Sequence, residues 1–183
     1  VLDAISPLNG FDETRGGIRL WERAELALVS IALPRGGEDV GRKAIKQAYK
    51  LDLPEVGLST ADKRHRLIRL SPDQAMLVFA DDAPLAEPAV QAKLKGACYT
   101  TNQTDAWVAL SIEGPTVRDA LERLCPLDMH PDRFAINAAQ RTVMEHMGAV
   151  ICREAEDRFL LLSASSSAQS FLHAFTTSVQ YAT

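Results

Sequence analysis

The sequence predicts an α+β fold built from duplicated strand–helix–strands–helix units with antiparallel-rich sheets. Three observations carry this. Apolar residues alternate at period two in some stretches and recur at helical spacing in others. The order of these changes is the same in both halves of the chain. The composition, 46% apolar and 24% charged over 183 residues, is that of a chain able to bury a core.

In the first half, residues 18–33 read as two extended segments broken at Glu22-Arg23, the second alternating until Pro34-Arg-Gly-Gly37 interrupts it. Residues 38–49 switch to a helix, with Val40, Ala44, Ala48 and Leu51 as its apolar stripe and Gly41 as the weak former inside it. Residues 54–62 read as loop. Residues 66–70 and 75–80 form a hairpin about Ser71-Pro-Asp-Gln74, which has turn chemistry at each position. Asp81-Asp82 and Ala83-Pro84 signal the start of a second helix, ending near Gly96.

The second half follows the same plan. Residues 107–112 alternate, with Val108, Leu110 and Ile112 on one face. Gly114-Pro115-Thr116 opens a helix whose stripe is Val117, Ala120, Leu121 and Leu124, with Asp119 and Arg123 paired outside and Pro126 as the stop. Residues 141–147 and 149–153 read as strands joined near Gly148, and 159–163 as a further strand. The last helix starts in the serine run 165–167, which offers capping side chains, and continues to about Tyr181 along Ala168, Phe171, Leu172, Phe175 and Val179. The expected organisation is one domain, 1–183, with pseudo-repeats at 24–96 and 107–183 and an N-terminal arm at 1–23. The repeats are offset by about 80 residues, and each is too small to bury its face alone.

Charge and cysteine usage exclude several functions. A net charge of −4 provides no basic field for nucleic acid. No apolar run approaches the roughly 20 residues that span a bilayer, and the first residues lack the pattern of a signal peptide. Cys98, Cys125 and Cys152 form no C-x-x-C pair, so free thiols in a reducing, cytoplasmic setting are expected rather than a disulfide or zinc site.

Chemistry-bearing side chains are scattered. His146 follows Glu145 in an expected strand, where neighbours face opposite sides; His130 lies in a loop; His173 falls off the apolar stripe of the last helix. His65 belongs to the basic run Lys63-Arg-His-Arg66, which reads as a solvated loop or as a contact for an acidic partner. Ser163-Ala-Ser-Ser-Ser167 lacks the G-x-S-x-G nucleophile turn, and Gly36-Gly37 lacks every phosphate-loop signature. Asp52 and Asp128 hold equivalent turn positions in the two halves.

The ordered motifs Thr101-Asn-Gln-Thr-Asp-Ala-Trp107, Glu113-Gly-Pro115, Leu121-Glu-Arg-Leu-Cys-Pro-Leu-Asp128, Arg141-Thr142, Phe159-Leu-Leu-Leu162 and Ala168-Gln-Ser-Phe-Leu-His173 resemble the γ subunit family of heterotetrameric sarcosine oxidase. More distantly, the strand–Gly-Pro–helix segment resembles the folate-binding aminomethyltransferase family. The resemblance implies a non-catalytic subunit of a complex that demethylates sarcosine to glycine, passes the one-carbon unit to tetrahydrofolate and forms hydrogen peroxide. It places FAD and FMN on a β subunit, NAD and tetrahydrofolate sites on an α subunit and zinc on a δ subunit, with no catalytic, cofactor or metal residue on this chain. The alternatives are an independent folate-binding, one-carbon-transfer protein and the equivalent subunit of an N-methyl amino-acid dehydrogenase. A subunit without a site acts through interfaces. Phe11, Trp21 and Trp107 are the aromatic residues no core stripe claims, so the N-terminal arm is expected to pack on a partner.

Overall fold

The structure is a computed structural model that describes residues 5–81 and 85–182. It divides into two compact units: an inserted unit of residues 25–105, and a discontinuous unit joining 1–24 to 106–183.

The inserted unit contains β3 (Leu26–Ala32), α1 (Glu38–Tyr49), β4 (Leu58–Ala61), β5 (His65–Arg69), β6 (Gln74–Ala80), α2 (Glu87–Leu94) and β7 (Tyr99–Asn102). Its sheet is antiparallel in the order β4-β5-β6-β3-β7. The helices cover one face, burying Val29, Ile31, Leu67 and Leu77 against Ile45, Tyr49, Val90 and Leu94. The buried stripe of α1 is Gly41, Ile45 and Tyr49, rotated from the expected one: Ala44 and Ala48 still pack partly buried on the core and Leu51 is buried, but Val40 faces outward. Gly41 explains the rotation. A Cβ there would lie 2.7 Å from Leu33 Cδ2 and 3.0 Å from Cys98 Sγ, so the backbone itself is the packing surface.

The discontinuous unit contains β1 (Asp12–Arg15), β2 (Ile18–Glu22), β8 (Trp107–Glu113), α3 (Val117–Glu122), β9 (Ala139–Met144), β10 (Met147–Ala155), β11 (Arg158–Ala164) and α4 (Ala168–Ala182). Its antiparallel sheet has the order β1-β2-β8-β11-β10-β9. Val108, Leu110, Ile112, Phe159 and Leu161 pack with Val117, Leu121, Phe171 and Phe175 of the helices. The central strands are buried on both faces, since Ala109, Ser111, Leu160 and Leu162 are buried as well.

Four strands share one order in the two sheets: β4-β5-β6-β3 corresponds to β9-β10-β11-β8. The fifth strand of each comes from the other half of the sequence. β2, which precedes β3 in the chain, pairs with β8; β7, which precedes β8, pairs with β3. Matching bonds extend both pairings, Arg23 N–H to the Ala109 carbonyl at 2.8 Å and Gln103 N–H to the Leu28 carbonyl at 2.8 Å.

Several elements differ from expectation. Residues 12–22, within the stretch read as an arm, form a hairpin whose Gly16-Gly17 loop has φ of 54° and 81°, the mirror-image turn that suits strand twist. Leu58–Ala61 and Tyr99–Asn102, read as loop or not read at all, are edge strands. The β9–β10 turn is Glu145-His146, both left-handed at φ 46° and 70°, and Gly148 lies within β10. α2 begins at Glu87 with proline in its first turn; the Asp82, Ala83 and Pro84 part of its expected start lies outside the described residues. The serine run forms a 3₁₀ turn, Ser165–Ser167, with no side-chain cap. No helix among the described residues is long and apolar enough to cross a membrane.

Candidate functional site

The histidines, cysteines and serines do not converge. His65 stacks between the Tyr49 ring, edge-on at 5.2 Å, and Phe79 at 5.8 Å, with Nδ1 3.4 Å from Asp62 Oδ1. It is folded into the inserted unit rather than solvated. Asp62 accepts the Arg64 and His65 N–H groups at 2.7 Å each, which holds its carboxyl below the usual range. His130 Nδ1 accepts the Asp132 N–H, and Asp128 accepts the His130 N–H at 3.0 Å, a local turn bond. Asp52 makes no such bond and pairs with Lys46 at 2.8 Å. His146 sits in the β9–β10 turn and His173 on the exposed side of α4.

The three cysteines are buried and outside any disulfide. Burial pushes the Cys98 and Cys125 thiols up, which keeps them protonated and poor as nucleophiles. Among the described residues no group of three His, Cys, Asp or Glu could hold a metal ion. Ser163 Oγ donates to the Gly148 carbonyl at 2.9 Å. The Gly36 N–H donates to the Glu38 carboxylate at 3.0 Å, so a carboxylate of the chain itself already occupies the place a phosphate would take.

Phe11, Trp21 and Trp107 separate onto two faces of one sheet. Phe11 packs against the unit's own core beside Leu8, Ile18 and Leu20. Trp21 is paired with Ser111 across β2 and β8, which sets it on the opposite face together with Trp107 of β8. Both tryptophans are half-buried. The Arg19 guanidinium lies 4.5 Å from the Trp21 ring centroid and forks onto Asp12 at 2.9 and 2.6 Å. Arg19 and Asp12 thereby support the indole as a rigid, amphipathic surface.

The best-built polar features are structural, and sequence reasoning missed them. The Glu22 carboxylate, 7% exposed, accepts the Ser6 hydroxyl at 2.8 Å and the Leu8 and Gly10 N–H groups at 3.0 and 2.7 Å. It ties residues 6–10 to β2. Arg69 and Arg153 are buried in equivalent strands and hold only main-chain carbonyls among their hydrogen bonds. Arg69 reaches Pro54 at 2.9 Å and Pro72 at 2.6 Å; Arg153 reaches Phe134 at 2.8 Å, Glu156 at 3.0 Å, and Ala155 and Pro131 at longer range. Each guanidinium pins the loop after a helix to the hairpin after its own strand. Burial lowers both pKa values, yet a guanidinium stays charged. The available signal was an arginine inside an apolar strand in each half, Leu67-Ile-Arg69 and Ile151-Cys-Arg153.

A groove of about 600 Å³ beside α4 has Leu124, Met147 and Ala174 in its lining with Arg123, Glu145 and His173. It brings opposite charges to an open surface without enclosing a substrate. The arrangement as a whole supplies rigid loops and open surface.

The model of the sarcosine oxidase, gamma subunit family matches residues 37–180. A sarcosine oxidase subunit gamma from Corynebacterium sp. (strain P-1) is 26% identical over 163 residues, covering 87% of this chain and 79% of that protein. A chain of the heterotetrameric sarcosine oxidase from Corynebacterium sp. U-96, solved with pyrrole 2-carboxylate, superposes with a TM-score of 0.81 at 23% identity, over 92% of this chain and 88% of that one. Aminomethyltransferase T of the glycine cleavage system from Bartonella henselae shares the fold, with a TM-score of 0.64 at 18% identity; 88% of this chain matches 46% of that one.

Proposed function

Because the chain belongs to the sarcosine oxidase gamma subunit family, we propose that it is the non-catalytic γ subunit of a cytoplasmic heterotetrameric sarcosine oxidase. In that complex it buttresses the part of a larger α subunit that handles folate, while α, β and δ subunits carry NAD, FAD, FMN, tetrahydrofolate and zinc. The complex oxidises sarcosine to glycine, the one-carbon unit going to tetrahydrofolate and the electrons to oxygen, which leaves as hydrogen peroxide. The family match over residues 37–180 is the observation that carries this reading. Scattered histidines and protonated buried thiols support a chain that contributes surfaces.

The test is co-expression with the three other subunits. Omitting this chain is expected to abolish recovery of a stable complex, and restoring it to recover sarcosine-dependent peroxide formation. Isolated, it is expected to bind tetrahydrofolate no tighter than about 1 mM, roughly −4 kcal/mol. A micromolar constant by calorimetry would instead favour an independent folate-binding protein, whose fold this chain shares.

Trp21 offers a more local check. Its indole is half-buried and stacked on Arg19, so Trp21→Ala costs the isolated chain only about 1 kcal/mol. The same substitution is expected to weaken co-purification with the large subunit by tenfold or more, as for an aromatic anchor of an interface. A thermal midpoint that falls by about 10 °C with normal assembly would assign Trp21 to the core alone.

A further inference from the structure

We infer that the basic surface around the Tyr49–His65 ring pair of the inserted unit docks an acidic segment of a partner subunit. This rests on the reading of the chain as a γ subunit and names one surface through which it assembles.

Three stretches far apart in sequence bring cations to this surface. Tyr49 closes α1, and its ring meets the His65 ring edge-on at 5.2 Å. The Lys93 ammonium of α2 lies 5.4 Å from the centroid of the same Tyr49 ring. His65 opens β5 directly after Lys63-Arg64 of the β4–β5 turn, and Lys50 follows Tyr49. Lys50, Lys63, Arg64 and Lys93 are all exposed, and none forms an ion pair among the described residues. The acidic residues beside them are already committed. Asp52 pairs with Lys46 at 2.8 Å, and Asp62 accepts the Arg64 and His65 N–H groups at 2.7 Å each. Glu55 precedes the end of β4 that lies away from the β4–β5 turn. Unneutralised cations thus gather in a chain of net charge −4. Their mutual repulsion is only partly screened by salt, and an acidic partner would relieve it. The base beneath them is rigid. Tyr49 is 4% exposed and packs in the core with Ile45 and Leu94, and Phe79 backs His65 at 5.8 Å. A cation laid on a fixed ring loses less freedom when it docks. Cations spread over three stretches suit a run of carboxylates more than a single small anion, and such complementarity sets partner choice and register.

The experiment uses the co-expressed four-subunit complex. A zero-length carbodiimide joins a lysine to a carboxylate only where the two touch. Cross-links from Lys50, Lys63 or Lys93 to Asp or Glu of a partner subunit are expected. Native mass spectrometry across a salt series then follows γ-subunit dissociation, which is expected to rise with salt in the wild-type complex. Lys63→Glu/Arg64→Glu should lose on the order of tenfold in affinity at low salt and most of the salt dependence, with Lys63→Gln/Arg64→Gln in between. Arg133→Glu/Arg141→Glu changes net charge equally at two exposed arginines of the discontinuous unit and should dissociate as wild type. All three variants should melt within about 2 °C of the unaltered chain, since the substituted side chains are exposed. Absence of cross-links from the three lysines, with a wild-type salt slope in the Lys63→Glu/Arg64→Glu complex, would overturn this surface and leave the subunit reading intact. An equal loss in the Arg133→Glu/Arg141→Glu complex would also overturn it, since net charge alone would then account for the effect. Failure of the wild-type chain to assemble at all would remove both.

Discussion

Arg153→Met is expected to destabilise the chain by about 3–5 kcal/mol, the largest effect of any single side-chain truncation outside the apolar core. The guanidinium is 4% exposed and donates to the carbonyls of Phe134, Glu156, Ala155 and Pro131. A methionine fills much of the volume and satisfies none of those oxygens. Replacing a buried ion pair by apolar residues is often neutral, because both partners leave together. Here the partners are main-chain groups, which stay and lose their donors. For a chain of this length each kcal/mol lowers the thermal midpoint by roughly 2–4 °C, so a fall of about 10 °C is the expected reading. Arg153→Lys should recover little, since a single ammonium cannot fork to carbonyls on two loops. Arg69→Met should act in the same direction with a smaller loss, as Arg69 holds fewer carbonyls. Melting within 2 °C of the unaltered chain would show that the loops hold without the clamp.

The clamp also shows where sequence reading stops. Elements with short-range signals are legible: the hairpin about Ser71-Pro-Asp-Gln74, the alternation from Trp107, and the α4 stripe through Phe171 and Phe175 all lie where periodicity sets them. The turn at Glu145-His146 is not legible, because a two-residue loop with both φ positive usually announces itself with glycine or asparagine. Two ordinary residues hold it at a cost on the order of 1 kcal/mol each, repaid by the register of nine-residue β10. The pairings of β2, whose residues already read as extended, and of β7 are hidden for a different reason. Each strand pairs with a strand of the other half, so no local pattern marks its partner, and a duplicated reading assigns both to no repeat. Of the three expected interface residues, Phe11 belongs to the core side and Trp21 with Trp107 to the other face. Which face an aromatic takes depends on strand register, which an isolated tryptophan does not encode.

Gly114→Ala is expected to destabilise the discontinuous unit by about 3 kcal/mol or more, because its added carbon collides with main chain on two sides. That carbon would stand 2.5 Å from the Gly17 carbonyl oxygen and 2.8 Å from Ile18 Cα. Neither atom is the end of a flexible side chain, so the β1–β2 turn must move as a body or β8 must release β2. The Gly114 N–H also donates to the Asp157 carbonyl at 3.1 Å, which prevents the β8–α3 loop from yielding instead. Gly41→Ala is the matched comparison. Its nearest contacts are Leu33 Cδ2 and Cys98 Sγ, side-chain atoms that can rotate, and about 1 kcal/mol is expected. Hydrogen exchange separates the two cases. Gly114→Ala should lose protection first at the β2–β8 bonds around Arg19 and Trp21, while Gly41→Ala should leave them protected. Equal protection of β2 in both variants would mean that the close approach of Gly114 to Gly17 does not hold the exchanged strand in its sheet.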